Sequence, residues 1–263
     1  MLLLLPNYLI ALIIFILGVL IGGFLNVCIY RIPRHISVVF PNSFCPNCKK
    51  TLKPQDRFPL IGFILVGGKC RFCKKPISWR YPAVELLTGL LFLFSFWKYN
   101  LSLVLLKNLI FISLLIVIAF IDISHQIIPN ALSIPGIIIG LLFSIVIKSP
   151  NIPDALLATV AFAVILWIFR QVGLLIKKQE MMGWGDIKLA GMLGANLGIK
   201  TGLVALFISV IIGVVVWLIL MLFKIKSRKD YIPFGSFMAI GAILTSFWGQ
   251  NIIDWYLNLF AVY

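Results

Sequence analysis

Two uninterrupted apolar blocks, Leu9 to Tyr30 and Gly202 to Phe223, constrain this chain more than any other feature. A helix needs about 20 such residues to cross the bilayer core. The 263 residues are 62% hydrophobic and only 12% charged, too greasy for an ordinary soluble domain. The fold class expected is an all-α polytopic membrane protein. The first block has no basic residue ahead of it and is long enough to span, so it is read as a crossing and not a cleaved signal.

Eight spans are expected. They are Leu9–Tyr30, Ala83–Trp97, Asn108–Ile128, Ala131–Ile147, Asp154–Ile176, a short Asp186–Ile199, Gly202–Phe223 and Ile232–Trp248. Leu101 to Leu106 is too short to cross and is expected at the outer surface. The tail from Gln250 carries aromatic residues suited to the interface.

The net charge of +15 does not point to nucleic acid, because of where the charge lies. Eleven of the 23 Lys and Arg fall between Arg31 and Arg80, against one acid, Asp56. With the N terminus outside, 18 basic residues lie on the inner side and 4 on the outer, and Arg170 snorkels from the fifth span. This is the bias expected of a multi-pass protein whose Arg31–Arg80 loop is cytoplasmic. Such charge also suits an anionic lipid leaflet.

That loop contains Cys45-Pro-Asn-Cys48 and Cys70-Arg-Phe-Cys73. Two C-x2-C pairs at this separation are a zinc signature. Four thiolates close a tetrahedral Zn2+ site and leave no position for water, so such a metal is structural. Lys49, Lys50, Lys69, Arg71, Lys74 and Lys75 would offset its negative charge. Two disulfides are the alternative, disfavoured in a reducing cytosol. Cys28, alone in an apolar helix, is read as packing.

Acids inside spans are costly and mark function. Asp56, Glu180 and Asp230 fall in loops, Asp154 starts a helix and Asp254 lies in the tail, which leaves Glu85, Asp122 and Asp186. Asp122 is expected about six residues, roughly 9 Å, inside the inner end of its span. Alternatively the helix ends earlier and Ser124, His125 and Gln126 form a polar loop. Asp186 is also a natural helix cap. Its neighbours need a further reason: Gly183 and Gly185 permit a tight turn and close approach, and Gly191, Gly194, Ala195 and Gly198 form a small-residue packing face. Two carboxylates at one inner-face site suit hydrolysis, with one ionised and one protonated. A helix N-terminus favours ionised Asp186, which makes it the expected base and Asp122 the acid.

Taken in order, "GGFLNVCIYRIP", the two cysteine segments, Asp122 with "IIPNALSIP", "GWGDIKLAGMLGANLG" and "IPFGSFMAIGA" resemble the bacterial type IV prepilin peptidases. These are leader peptidase/N-methyltransferases of the GxGD aspartic protease group. The resemblance covers nearly the whole chain. It implies cleavage of the basic leader of prepilins or pseudopilins after a glycine, at the cytoplasmic face of the bacterial inner membrane, for a type IV pilus or type II secretion system. It implies N-methylation of the new terminus with S-adenosylmethionine. It places Asp122 and Asp186 as the catalytic pair, Gly183, Gly185 and Lys188 in the supporting motif, and Cys45, Cys48, Cys70 and Cys73 as zinc ligands. Glu85 matches a family glutamate and is a methyltransfer candidate; pairing with Arg80 is its alternative.

The implied organisation is a first span (1–30), a zinc-binding loop (31–82) and a peptidase membrane domain (83–263). The chain departs from the family pattern at Gly62-Phe63, at Gly67-Gly68, and at Ser236, where proline is usual. A proton-coupled transporter and a non-enzymatic assembly factor are the competing readings. The first would show matching halves with broken helices, which the sequence lacks.

Overall fold

The structure is a computed structural model describing residues 6–40, 42–177, 182–224 and 233–260. Among these there are helices and no strands. The helices are α1 (Asn7–Arg31), α2 (Ile61–Leu65), α3 (Arg80–Tyr99), α4 (Leu103–His125), α5 (Asn130–Ile147), α6 (Ile152–Lys177), α7 (Trp184–Leu222) and α8 (Phe234–Phe260). Six of them, all but α2 and α3, are long and apolar enough to cross a membrane. Leu12, Ile16, Leu20 and Phe24 on α1 and Val210, Val214 and Leu218 on α7 point outward. Such faces are stable against lipid and not against water. This is a multi-pass membrane protein.

The helix boundaries differ from the sequence expectation for local reasons. Leu103–Leu106 is no surface segment but the first turn of α4, because the Ser102 hydroxyl accepts the Leu105 N–H at 3.1 Å and caps the helix. At the other end α4 stops at His125 rather than Ile128. Gln126 takes a left-handed φ of 55° and donates its N–H to the Asp122 carbonyl at 2.8 Å. Asp122 therefore lies in the last turn of α4, closer to the helix end than expected. The tail from Gln250 is helical, since α8 continues unbroken through it to Phe260.

The two expected spans 186–199 and 202–223 run together as α7, which breaks at Gly198 (φ 73°, ψ −176°). Only glycine adopts that φ freely. The break leaves N–H groups without helical partners, and the Asp154 carboxylate of α6 accepts the one on Ile199 at 3.2 Å. Asp154 thus caps the second limb of a neighbouring helix.

Contacts divide the chain into two compact units, Met1–Leu109 and Ile110–Tyr263. In the first, α1 packs along α3, with Ile10, Ala11, Ile14, Phe92, Phe96, Leu105 and Leu109 as its core. Glycine makes this approach close: a methyl group at Gly18 would lie 2.8 Å from the Gly89 Cα, and one at Gly22 2.7 Å from the Glu85 Cα. In the second, α7 is central and packs on α5, α6 and α8. The Asn196 amide of α7, buried, donates to the Gly136 carbonyl of α5 at 3.1 Å, a polar tie between helices.

Candidate active site

Asp122 and Asp186 are 64 positions apart, yet both belong to the second unit and both sit at helix N-termini. Asp186 is in the first turn of α7, where its Oδ2 accepts the Gly183 N–H at 3.2 Å. Asp122 ends α4 but reaches the start of α8: its Oδ2 accepts the Ser236 N–H at 2.7 Å and the Ser236 hydroxyl at 3.0 Å. Free N–H groups at the helix starts favour negative charge at both places, while at Asp122 the C-terminal end of the α4 dipole opposes it. Both residues are buried, at 3% and 4% exposure, so little water screens them.

Ile128 lies between the two helix starts. A methyl group at Gly185 would be 2.8 Å from its Cβ, and one at Gly235 2.6 Å from its Cδ1. Glycine is thus needed at 185 for close approach. At Gly183 the backbone is extended (φ −78°) and a methyl group would meet nothing nearer than 3.6 Å, so the tight-turn reason does not apply there. Lys188 extends from α7 to the start of α5, where its Nζ donates to Asn130 Oδ1 at 2.7 Å. Arg170 does not snorkel to solvent. It is 6% exposed, with its guanidinium 4.7 Å from the centre of the Trp184 ring. Glu180 lies outside the described residues.

In the first unit the four cysteines converge, each Sγ within 4.8 Å of the others, and Cys45 and Cys73 stand 3.9 Å apart. Sulfurs around one Zn2+ at about 2.3 Å would be about 3.8 Å apart. The halves share one backbone design. The Lys49 N–H returns to the Cys45 carbonyl and the Lys74 N–H to that of Cys70, both at 2.9 Å, with Lys49 and Lys74 left-handed. These turns aim N–H groups at sulfur. Those of Cys73 and Phe72 pull the Cys70 thiol down to about 6. Burial pushes Cys45 up to about 11, as befits a neighbour sharing the same site. The donor set fits a metal ion.

Beside the cysteines is a cavity of about 400 Å³, lined among others by Arg34, Arg57, Arg71, Arg80, Tyr81 and Glu85. Glu85 is not paired with Arg80. Its Oε2 accepts the Leu60 N–H at 2.7 Å, while Arg80 lies over the Tyr81 ring. Leu60 is held at φ 59°, ψ −55°, a strained γ-turn closed by Ile61 N–H to the Pro59 carbonyl at 2.6 Å. Pro59 in turn fills the space that a side chain at Gly23 would take. The loop is therefore clamped onto α1 and α3 at the carboxylate.

Residues 16–99 match the bacterial peptidase A24 N-terminal domain, and residues 109–218 match the type IV leader peptidase family. A prepilin leader peptidase/N-methyltransferase of Legionella pneumophila is 33% identical over 90% of this chain and 91% of its own length. The chain belongs to the type IV leader peptidase family. A relative of the same name from Bacillus subtilis is 35% identical over 94% of this chain and 98% of its own length, and one from Pseudomonas aeruginosa is 30% identical over 92% of each. No solved structure matches.

Within this peptidase family the structure adds three residues that sequence reasoning passed over. Ser236 holds Asp122, and its only signal was a departure from the family pattern. Asn130 holds Lys188 from 58 positions away; its signal was its place after Pro129 in the Asp122 segment. Asp56, read as a loop acid, is 5% exposed at its side chain and takes both nitrogens of Arg71, Nη2 at 2.7 Å and Nε at 3.0 Å.

Proposed function

We propose that this chain is an intramembrane aspartic endopeptidase that removes the basic leader of prepilins or pseudopilins after a glycine, and that it methylates the new N-terminal amine. The observation that carries the first half is that Asp122 and Asp186, both buried, are anchored at two helix starts that close on Ile128 in the second unit. A water held between them would lose a proton to the ionised carboxylate as its oxygen attacks the scissile carbonyl. The protonated carboxylate would give its proton to the carbonyl oxygen. Collapse of the tetrahedral intermediate then releases the leader and leaves a free amine on the pilin. The charge bias supports a cytoplasmic face for the cysteine loop, with the N terminus outside and the bacterial inner membrane as the location.

Cys45, Cys48, Cys70 and Cys73 would hold Zn2+, which braces the loop and takes no part in the chemistry because thiolates fill every position. The cavity beside them has the size and lining for S-adenosylmethionine, which carries an activated methyl group on a sulfonium. The arginines would bind its carboxylate, the aromatic rings its base, and Glu85 would accept the proton that the amine loses on methylation. Transport is not supported by any comparable observation.

Mass spectrometry of a co-expressed prepilin tests the proposal. The intact chain should yield a pilin shortened at the glycine and heavier by one methyl group. Asp122→Asn and Asp186→Asn should each leave the leader on while the protein still inserts. Normal cleavage by either variant would remove that residue from the mechanism.

A further inference from the structure

The two carboxylates differ in what they are given. Asp122 Oδ2 receives two donors from one residue, the Ser236 N–H at 2.7 Å and the Ser236 hydroxyl at 3.0 Å. Asp186 Oδ2 receives one, the longer 3.2 Å bond from Gly183. Ser236 is 2% exposed, so water does not compete for these bonds. Glycine at 235 leaves the carboxylate room: a methyl group there would lie 3.0 Å from Asp122 Oδ2. The hydroxyl has one other acceptor, the Ala119 carbonyl at 3.1 Å, one turn before Asp122 on the same helix. The serine is therefore held over the last turn of α4 in either orientation.

A donor aimed at a carboxylate oxygen stabilises the ionised group and opposes a proton on that oxygen. We infer that Ser236 is a positioning residue that keeps Asp122 ionised, so that the shared proton resides on Asp186. Asp122 then takes the proton from water, and Asp186 delivers its own to the substrate carbonyl. This rests on the aspartic peptidase reading above. It reverses the assignment expected from the N-terminus of α7 alone: the last turn of α4 sets its dipole against a charge on Asp122, and the two Ser236 donors at the start of α8 offset it. Where the family pattern has proline, both donors are missing.

Other charged or titratable groups at this end of the unit are His125 in the last turn of α4, Lys188 bonded to Asn130 of α5, and Arg170 of α6 over Trp184. The first turn of α8, Phe234 to Ser236, contains none. Substitution at 236 leaves all of them in place.

The experiment is the pH profile of cleavage by the purified full chain in detergent. The substrate is a purified prepilin with a basic leader, a glycine and an apolar helix. Hydrogen bonds to charged groups are worth enough to move the acid limb of activity by roughly one pH unit. Ser236→Ala, which loses the hydroxyl and keeps the N–H, should shift that limb toward neutral pH by this amount. Ser236→Thr should restore it. Ser236→Pro, which a first helical turn tolerates, loses both donors and should shift it further. An acid limb for Ser236→Ala that coincides with the wild-type limb overturns the inference. A uniform loss of rate without displacement, or a threonine that does not rescue, also overturns it. If Ser236→Pro does not fold, the alanine and threonine variants decide alone. A wild-type protein that cuts at no pH would instead refute the peptidase reading.

Discussion

Gly191 and Gly194 are indistinguishable in the sequence, two small residues one turn apart on the same helix, but the structure assigns them opposite responses to alanine. A methyl group at Gly191 would lie 3.5 Å from the Thr159 carbonyl oxygen, 3.6 Å from its Cγ2 and 3.7 Å from Ile137 Cδ1, all ordinary contacts. At Gly194 it would lie 2.5 Å from both the carbonyl carbon and oxygen of Ala158, and 2.6 Å from the Thr159 nitrogen. Those are backbone atoms of α6 and cannot rotate away. Restoring contact distances of about 3.5–4.0 Å requires α6 and α7 to part by about 1–1.5 Å. Alanine gains about 0.8–1 kcal/mol over glycine in a helix at either position. Overpacking costs about 1–3 kcal/mol where neighbours yield, and fixed backbone belongs at or above the top of that range. Gly191→Ala should therefore stabilise by about 1 kcal/mol and Gly194→Ala destabilise by about 2 kcal/mol. For a unit of this size the two variants should melt roughly 6–12 °C apart. Thermal unfolding in detergent measures this. A Gly194→Ala protein that melts with Gly191→Ala, or above it, would refute the packing argument.

Three further outcomes follow from the first unit. Elemental analysis should find about one zinc per chain, lost when Cys45 and Cys48 are both changed to serine, because two thiolates cannot close a tetrahedral site. The Arg71 guanidinium holds Asp56 below the usual carboxylate range, chiefly by its hydrogen bonds. That stabilisation is complete above an unfolded value of about 3.9 and disappears as pH falls through the lower folded value. Hydrogen exchange in residues 53–71 should be faster in Asp56→Asn than in wild type at pH 7, and the difference should vanish well below pH 4. On the methyltransfer reading proposed above, Glu85→Gln should leave the leader cut but the pilin unmethylated in one mass spectrum, with cleavage reduced less than about twofold, since its carboxylate lines the cavity.

The sequence carried the membrane class and the cysteine cluster and singled out the two buried acids, each for a one-dimensional reason. Apolar length, a repeated C-x2-C spacing and a carboxylate in an apolar run are all local properties. It misplaced the start of α4 because Ser102 looks like a loop residue until its hydroxyl is seen to cap a helix. It split α7 near the right place because glycine at a break leaves a compositional trace, but it gave no hint that the cap would be Asp154 on another helix. Partners distant in the chain were illegible: Arg71 for Asp56, Leu60 for Glu85, Asn130 for Lys188 and Ser236 for Asp122. None of these pairs has a spacing rule, because each is set by how helices and loops pack. The role of Asp56 was misjudged for this reason, since an acid in a basic loop looks solvated until a bidentate partner is found beside it.

Helix starts explain why this fold keeps its acids where it does. In a membrane protein the N–H groups of a first turn, or of a break, must be satisfied by protein, because lipid offers no acceptor. Carboxylates are strong acceptors there, and the dipole favours their charge. Three acids serve this way: Asp154 at the break in α7, Asp186 at its start, and Asp122 at the start of α8. Capping alone therefore does not mark a catalytic residue. Asp154 accepts the Ile199 N–H, and that role is complete as a cap. Asp122 and Asp186 each cap a different helix, and the two helix starts close on the same residue, Ile128. Two caps brought that close together impose mutual repulsion that capping does not require, and a shared proton relieves it. One mobile proton between two anchored carboxylates is what water-activated hydrolysis needs, so the peptidase reading proposed above attaches to this pair rather than to the third acid.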